Sequence, residues 1–256
     1  MTGIYFSGTG NTKFCISRFL SGIEGEHRLL SIEDRAAASE ISGAEEILFA
    51  YPVYYSSLPK IVSDFISNNQ DLWRGKRIFI IATMGAFSGD GAGVSARLFR
   101  KFGAEILGGL HLKMPDCIGD VKALKKSPDE NRKIIAAAEE KTDRAAKSYL
   151  NGKPTQEGLN IFYHLAGLFG QRLYFSGKTK HYTKNPKISA EKCVGCGNCE
   201  KLCTMKNIHI SDGKAVPGDK CTLCYRCLSS CPQKAITIIG KKVIVQYNFK
   251  DYSGKE

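Results

Sequence analysis

The chain has 256 residues, 43% of them apolar and 24% charged, which is enough for one large domain or two unequal ones with separate cores. No run of about 18 apolar residues is present to span a bilayer, and Ile4 enters an apolar run without the basic-then-apolar start of a signal peptide, so the cytoplasm is the expected location. The formal charge of +12 suits loose affinity for polyanions, but no interleaving of basic and aromatic residues marks a nucleic-acid module, and nucleic acid is not expected as a partner.

In chain order, Gly3 to Phe6 reads as a short buried strand, followed by the polar loop Ser7-Gly8-Thr9-Gly10-Asn11-Thr12 and a helix from Lys13 to about Gly22. Apolar runs at His27 to Ile32, Glu46 to Tyr51, Lys76 to Thr83 and Glu105 to Met114 alternate with helical patterns at Pro59 to Asn68, Asp90 to Phe102 and Pro128 to Leu150. Five strands with intervening helices imply an α/β fold with a doubly wound, five-stranded parallel sheet. The last helix is punctuated by Ser127 as N-cap, Pro128 at its first position, Glu130 completing a capping box, and Asn151-Gly152 then Pro154 at its stop. A first domain is therefore placed at 1–152.

Residues 153–187 carry six basic residues against Glu157. Ile161, Phe162, Leu165, Leu168, Phe169 and Leu173 fall on one helical face, which predicts a basic helical connector whose apolar stripe packs on one or both domains. A membrane-surface or partner-docking helix is the alternative. From 188 to 240 the sequence turns to short cysteine-rich loops, and 241–256 reads as a C-terminal strand and tail.

Eight of the ten cysteines form two runs, Cys193-x2-Cys196-x2-Cys199-x3-Cys203 and Cys221-x2-Cys224-x2-Cys227-x3-Cys231-Pro232. Each run resembles that of two-cluster bacterial ferredoxins, a small α+β fold in which three cysteines wrap one cubane and the fourth reaches the other. Cys193, Cys196, Cys199 and Cys231 would hold one 4Fe-4S cluster, and Cys203, Cys221, Cys224 and Cys227 the other. Zinc takes paired x2 motifs and does not call for triple runs, and disulfides do not suit a cytosolic α/β chain. Thr204 departs from the pattern, which has proline after the fourth cysteine. Gly195 and Gly197 would let backbone amides approach the cluster, with Ile208 to Ile210 and Ala235 to Ile239 as apolar cover. Cys15 and Cys117 read as small buried side chains.

The loop Ser7 to Thr12 ends at a helix start, where free amides and the helix dipole attract an anion. It is not a Walker A loop, nor a dinucleotide turn, because Lys13 stands at the third glycine position. Two further loops follow strands: Pro52-Val53-Tyr54-Tyr55-Ser56-Ser57-Leu58 and Thr83-Met84-Gly85-Ala86-Phe87-Ser88-Gly89-Asp90. Both offer aromatic faces and backbone donors of the kind a flavin ring needs, with Tyr54 as first choice for stacking and Phe87 second. The first 150 residues resemble a flavodoxin, and the whole chain resembles the flavodoxin/ferredoxin fusion proteins of anaerobic bacteria and archaea, which are electron-transfer proteins. The resemblance implies non-covalent FMN at Ser7, Gly8, Thr9, Gly10, Asn11 and Thr12. It sets Pro52, Val53, Tyr54, Tyr55, Ser56, Thr83, Met84, Gly85, Ala86, Phe87 and Asp90 around the ring.

The expected function is passage of single electrons between FMN and two 4Fe-4S clusters, and on to ferredoxin-type partner proteins. The alternative is a flavin reductase of a quinone, nitro compound or other small organic acceptor, with His111, Asp90 or Tyr55 as proton donor. The chain could also pair as a homodimer.

Overall fold

In the computed structural model, the described residues are 1–55, 57–169, 181–184 and 186–253. The N-terminal part alternates β1 (Thr2–Tyr5), α1 (Asn11–Ser21), β2 (Arg28–Ser31), α2 (Ala37–Gly43), β3 (Glu46–Pro52), α3 (Lys60–Asn68), β4 (Arg77–Met84), α4 (Gly91–Lys101), β5 (Glu105–Lys113) and α5 (Pro128–Leu150). The five strands are parallel in the order β2-β1-β3-β4-β5. The chain reverses its direction of travel across the sheet between β1 and β3, which opens a crevice at the carboxyl ends of those strands. Short helix α2 was not anticipated; its alanine-rich turn shows little apolar periodicity, and only Ala37 and Ile41 are buried.

Both sheet faces are covered, and this explains the near-continuous apolar strands. Along β3 the side chains alternate: Ile47, Phe49 and Tyr51 join the core with Trp73 and Phe99, while Leu48 and Ala50 join the core with Phe19, Phe79 and Leu112. The capping box of α5 forms as expected, with Ser127 Oγ accepting from the Glu130 amide at 3.2 Å and Glu130 Oε2 accepting from the Ser127 amide at 2.8 Å.

Packing on the sheet continues past 152. Along β5 the Gly109 amide donates to Thr155 O at 2.8 Å and Gly109 O accepts from the Glu157 amide at 2.9 Å, and Leu159 reaches the core. Helix α6 (Ile161–Gly167) follows, but its apolar residues do not pack as expected: Phe162 is 77% and Ile161 60% exposed. The helix is fixed instead by a polar contact, His164 Nδ1 to Asp90 Oδ2 at 3.0 Å, and by buried Gly167. Leu173 lies outside the described residues.

The C-terminal part has β6 (Lys187–Ile188), α7 (Asn198–Leu202), β7 (Ile208–Ser211), β8 (Lys214–Pro217), α8 (Arg226–Ser229), β9 (Ile236–Thr237) and α9 (Lys250–Ser253). β7 and β8 form a hairpin through Asp212-Gly213, both at positive φ, the pair that a tight primed turn favours. β6 pairs antiparallel with β9. Among the described residues 241–253 the expected strand is not seen, because its donors go elsewhere: Ile244 and Val245 amides bond Gly119 O at 2.8 and 3.0 Å, and the Phe249 amide bonds Thr9 O at 2.9 Å. This segment is a strap from the cysteine-rich part back to the N-terminal sheet. Among the described residues no helix is long and apolar enough to cross a membrane.

Candidate functional site: a crevice and two cysteine-lined cavities

At the carboxyl ends of β1, β3, β4 and β5 lies a cleft of about 1080 Å³, including its open mouth. Ser7, Gly8, Thr9, Asn11 and Thr12 line one end, with Pro52, Val53, Tyr54 and Tyr55 from the second loop and Thr83, Met84, Gly85, Ala86 and Phe87 from the third. Fourteen of the seventeen anticipated residues therefore converge. Ser56 lies outside the described residues, and Gly10 turns its outer face to Phe249.

Asp90 is the correction. It is fully buried beneath α4, bonded to Arg97 at 2.6 Å and to His164, because a buried carboxylate requires partners that the cleft does not provide. His111 is also away from the cleft. Its Nε2 accepts from the Ala92 amide at 3.0 Å, so Nδ1 carries the proton toward Ser88 Oγ, and burial, opposed by Glu157, holds its pKa at about 4. A neutral ring of this kind cannot act as an acid near pH 7. Folding requires the ring to stay neutral, so stability is expected to fall as pH drops from 6.5 toward about 4. Thermal melts across that interval should show the loss in wild type and a shallower profile in His111→Gln.

The first loop owes its shape to contacts on its far side. Arg226 donates to Ser7 O at 2.8 Å and Gly8 O at 3.3 Å while pairing with Glu33 at 2.7 Å. In a trans peptide the N–H points opposite to the C=O, so the amides of Gly8 and Thr9 face the cleft. Ser7 Oγ accepts from the Gly10 amide at 3.1 Å, Thr12 Oγ1 bonds Thr83 Oγ1 at 2.8 Å, and Asn11 Nδ2 donates to Pro115 O at 2.8 Å. An anion here meets mainly backbone donors rather than the hydroxyl and amide side chains that the loop's composition suggests.

A fourth set of lining residues went unread in the sequence: Met114, Pro115, Asp116, Cys117, Ile118 and Leu124 after β5. The rule that flagged the other loops, position at a strand's carboxyl end, applies equally to β5. Burial raises the Asp116 pKa, with Lys126 opposing, and its Oδ1 accepts from the Ile118 amide at 2.8 Å. Cys117 is half-buried on the cleft wall, and burial pushes its thiol up. Leu223 and Tyr225 close the cleft from the cysteine-rich part.

The eight clustered cysteines sort into two cavities. Cys193, Cys196, Cys199 and Cys231 line one of about 360 Å³, walled by Ile188, Ile210, Ala215 and Ile236. Cys203, Cys221, Cys224 and Cys227 line another of about 380 Å³, with Ile208 and Ile238. Backbone amides donate to sulfurs in both: Asn207 to Cys203 at 3.1 Å, and Ala215 to Cys193, Leu223 to Cys221 and Ala235 to Cys231 at 3.4 Å each. All ten cysteines are free. Among the described residues no three or more of His, Cys, Asp or Glu gather around one point as for a single metal ion; the sulfurs surround a space instead.

Burial pushes the Cys221 thiol up to about 12 and raises Cys224 and Cys227, so a thiolate set there needs positive charge inside the cavity. Thr204 and Thr222, both lining the second cavity, have buried hydroxyls with no hydrogen-bond partner among the described residues, and they fit a guest that accepts hydrogen bonds.

Tyr225 lines both the cleft and the second cavity. A Cβ at Gly8 would run into the Cys224 carbonyl, so the first loop and the cysteine segment touch directly.

A family model described as "Flavodoxin domain" matches residues 4–105. The N-terminal part is a flavodoxin-like domain. Solved structures similar to the flavodoxin-like part include the two-electron reduced flavodoxin of Megasphaera elsdenii, 21% identical, covering 57% of this chain and 99% of that one with a TM-score of 0.43. A flavodoxin from the domain Archaea is 19% identical over 58% of this chain and 98% of that one, TM-score 0.41. An apo-form NADH:FMN oxidoreductase is 14% identical over 57% and 88%, TM-score 0.39. No curated protein matches the chain.

Proposed function

We propose that the protein passes single electrons between an FMN held in the cleft and two 4Fe-4S clusters held in the two cavities of a ferredoxin-like C-terminal domain, and exchanges them with external redox proteins. The observation that carries this reading is the shared lining: Tyr225 borders both the cleft and the second cavity. Bound there, FMN supplies one- and two-electron chemistry and each cubane one-electron chemistry, so their adjacency links the two.

The chain's own residues prepare each site. The inward amides of the first loop receive the phosphate, Tyr54 offers an apolar face, and the loops at 84–87 and 115–118 border the ring edge. Burial, with Cys117 and Cys224 nearby, keeps the Tyr54 hydroxyl protonated, so that ring stays neutral beside a flavin. In the cavities the amide donors stabilise charge on the sulfurs, and the apolar walls exclude water. Cys196 is exposed whereas Cys224 is buried, which makes the first cavity the outer port and the second the relay to the flavin.

The test is anaerobic reconstitution. About eight irons, about eight acid-labile sulfides and one FMN per chain are expected. Zinc without sulfide, or protein that takes up no flavin, would overturn the reading.

Asp116 favours a second reading. A carboxyl of raised pKa at the cleft could hand a proton to a small organic acceptor, as a quinone or nitro reductase requires. Stopped-flow mixing of reduced protein separates the two: the carrier reading expects redox proteins to outpace small acceptors, and saturable oxidation by a small acceptor faster than by any protein partner would reverse that order.

A further inference from the structure

The cysteine-rich part and the strap do more than adjoin the flavodoxin-like domain: between them they hold the first three carbonyls of its anion loop, those of Ser7, Gly8 and Thr9, and the Asn11 side chain. Arg226 takes the carbonyls of Ser7 and Gly8. The Phe249 amide takes that of Thr9 at 2.9 Å, and the Tyr247 hydroxyl donates to Asn11 Oδ1 at 2.6 Å. Gly10, at φ 103, lies so close under the strap that a Cβ would sit 2.7 Å from that of Phe249, whose ring stacks on Phe14 at 4.3 Å. The strap itself is anchored in the cysteine-rich part, where Gln246 Nε2 donates to Leu228 O and Cys231 O at 2.9 and 2.6 Å.

We infer that Arg226 and Tyr247 are positioning residues for the phosphate of the flavin: they fix the loop at residues 7–12 with its amides inward, and so set the preference for a flavin bearing a phosphate over one without. The inference rests on the FMN reading above. Neither residue lines the cleft, so neither contributes contact to the ring. Arg226 acts through the Ser7–Gly8 and Gly8–Thr9 peptides, and Tyr247 through the Asn11 side chain. Without Arg226 the Ser7 and Gly8 carbonyls lose their partner and their peptides are free to rotate. Without the Tyr247 hydroxyl, Asn11 is held from one side only, by its own bond to Pro115 O at 2.8 Å. Both changes fall on phosphate binding and leave the ring loops as they are.

The experiment is titration of flavin-stripped, full-length protein with FMN and, separately, with riboflavin, followed by quenching of flavin fluorescence, in wild type, Tyr247→Phe and Arg226→Gln. Iron and sulfide content, measured on each sample, reports folding of the cysteine-rich part. With that content unchanged, the FMN Kd is expected to rise about 10-fold in Tyr247→Phe and about 30-fold in Arg226→Gln, while the riboflavin Kd stays within about twofold. Wild-type FMN affinity in both variants, or equal weakening of FMN and riboflavin, would overturn the inference while the cleft reading stands. A wild-type chain that binds neither flavin would overturn the cleft reading itself.

Discussion

Asp120→Ala is expected to destabilise the protein by about 4 kcal/mol and to release the cysteine-rich part from the flavodoxin-like domain. Asp120 lies in the β5–α5 connection, almost fully buried. One of its oxygens, Oδ2, accepts from the amides of Ile238, Ile239 and Gly240 at 2.6, 2.9 and 3.0 Å, and Oδ1 accepts from the Tyr225 hydroxyl at 3.1 Å. Removing the carboxyl takes this acceptor from the buried Ile238 amide and Tyr225 hydroxyl, each at a cost of roughly 1–3 kcal/mol before relaxation, and from the part-buried amides of Ile239 and Gly240 at less. Asp120→Asn keeps the shape and one acceptor, so it should recover about half of the loss. Anaerobic thermal melts read the difference; a loss below about 1 kcal/mol in Asp120→Ala would show that the two parts are joined by other contacts.

The second large effect concerns the order of the relay. Cys227→Ala removes a thiol that lines the inner cavity, and Cys196→Ala one that lines the outer cavity. Each variant is expected to retain FMN and about four irons, yet to behave differently. With the inner site lost, exchange between flavin and the remaining cluster should slow by roughly 100-fold or more, about 2.7 kcal/mol in activation. With the outer site lost, flavin and inner cluster should still equilibrate at the wild-type rate while exchange with external redox proteins falls. Stopped-flow traces at flavin and cluster wavelengths distinguish the cases, and equal slowing of flavin exchange in both variants would contradict the order.

The sheet was legible because its strands are apolar on both faces and each loop between them carries its own punctuation; the capping box of Ser127 and Glu130 marks a helix start by local chemistry alone. The sorting of eight cysteines into two sets was legible through the resemblance to two-cluster ferredoxins, whose pattern sends the fourth cysteine of each run to the other set. Long-range partnerships were not. Nothing near Asp120 or Arg226 in the sequence announces that a carboxylate will cap residues 238–240 or that a guanidinium will grip residues 7 and 8, more than a hundred positions away. Asp90 was misread for the opposite reason: its place after β4 suited a ring loop, but Arg97 two helix turns on and His164 in α6 draw it inward. The apolar residues of α6 likewise suggested a packed stripe, where the His164–Asp90 contact and buried Gly167 hold the helix.

The most direct measurement is photoreduction of the flavin in fully reconstituted, anaerobic protein, followed at flavin and cluster wavelengths over a range of protein concentrations. Loss of reduced flavin matched by gain of reduced cluster, at a rate independent of concentration, is expected from cofactors held in adjoining sites of a single chain. A rate proportional to concentration, or flavin that stays reduced beside oxidised clusters, would contradict it.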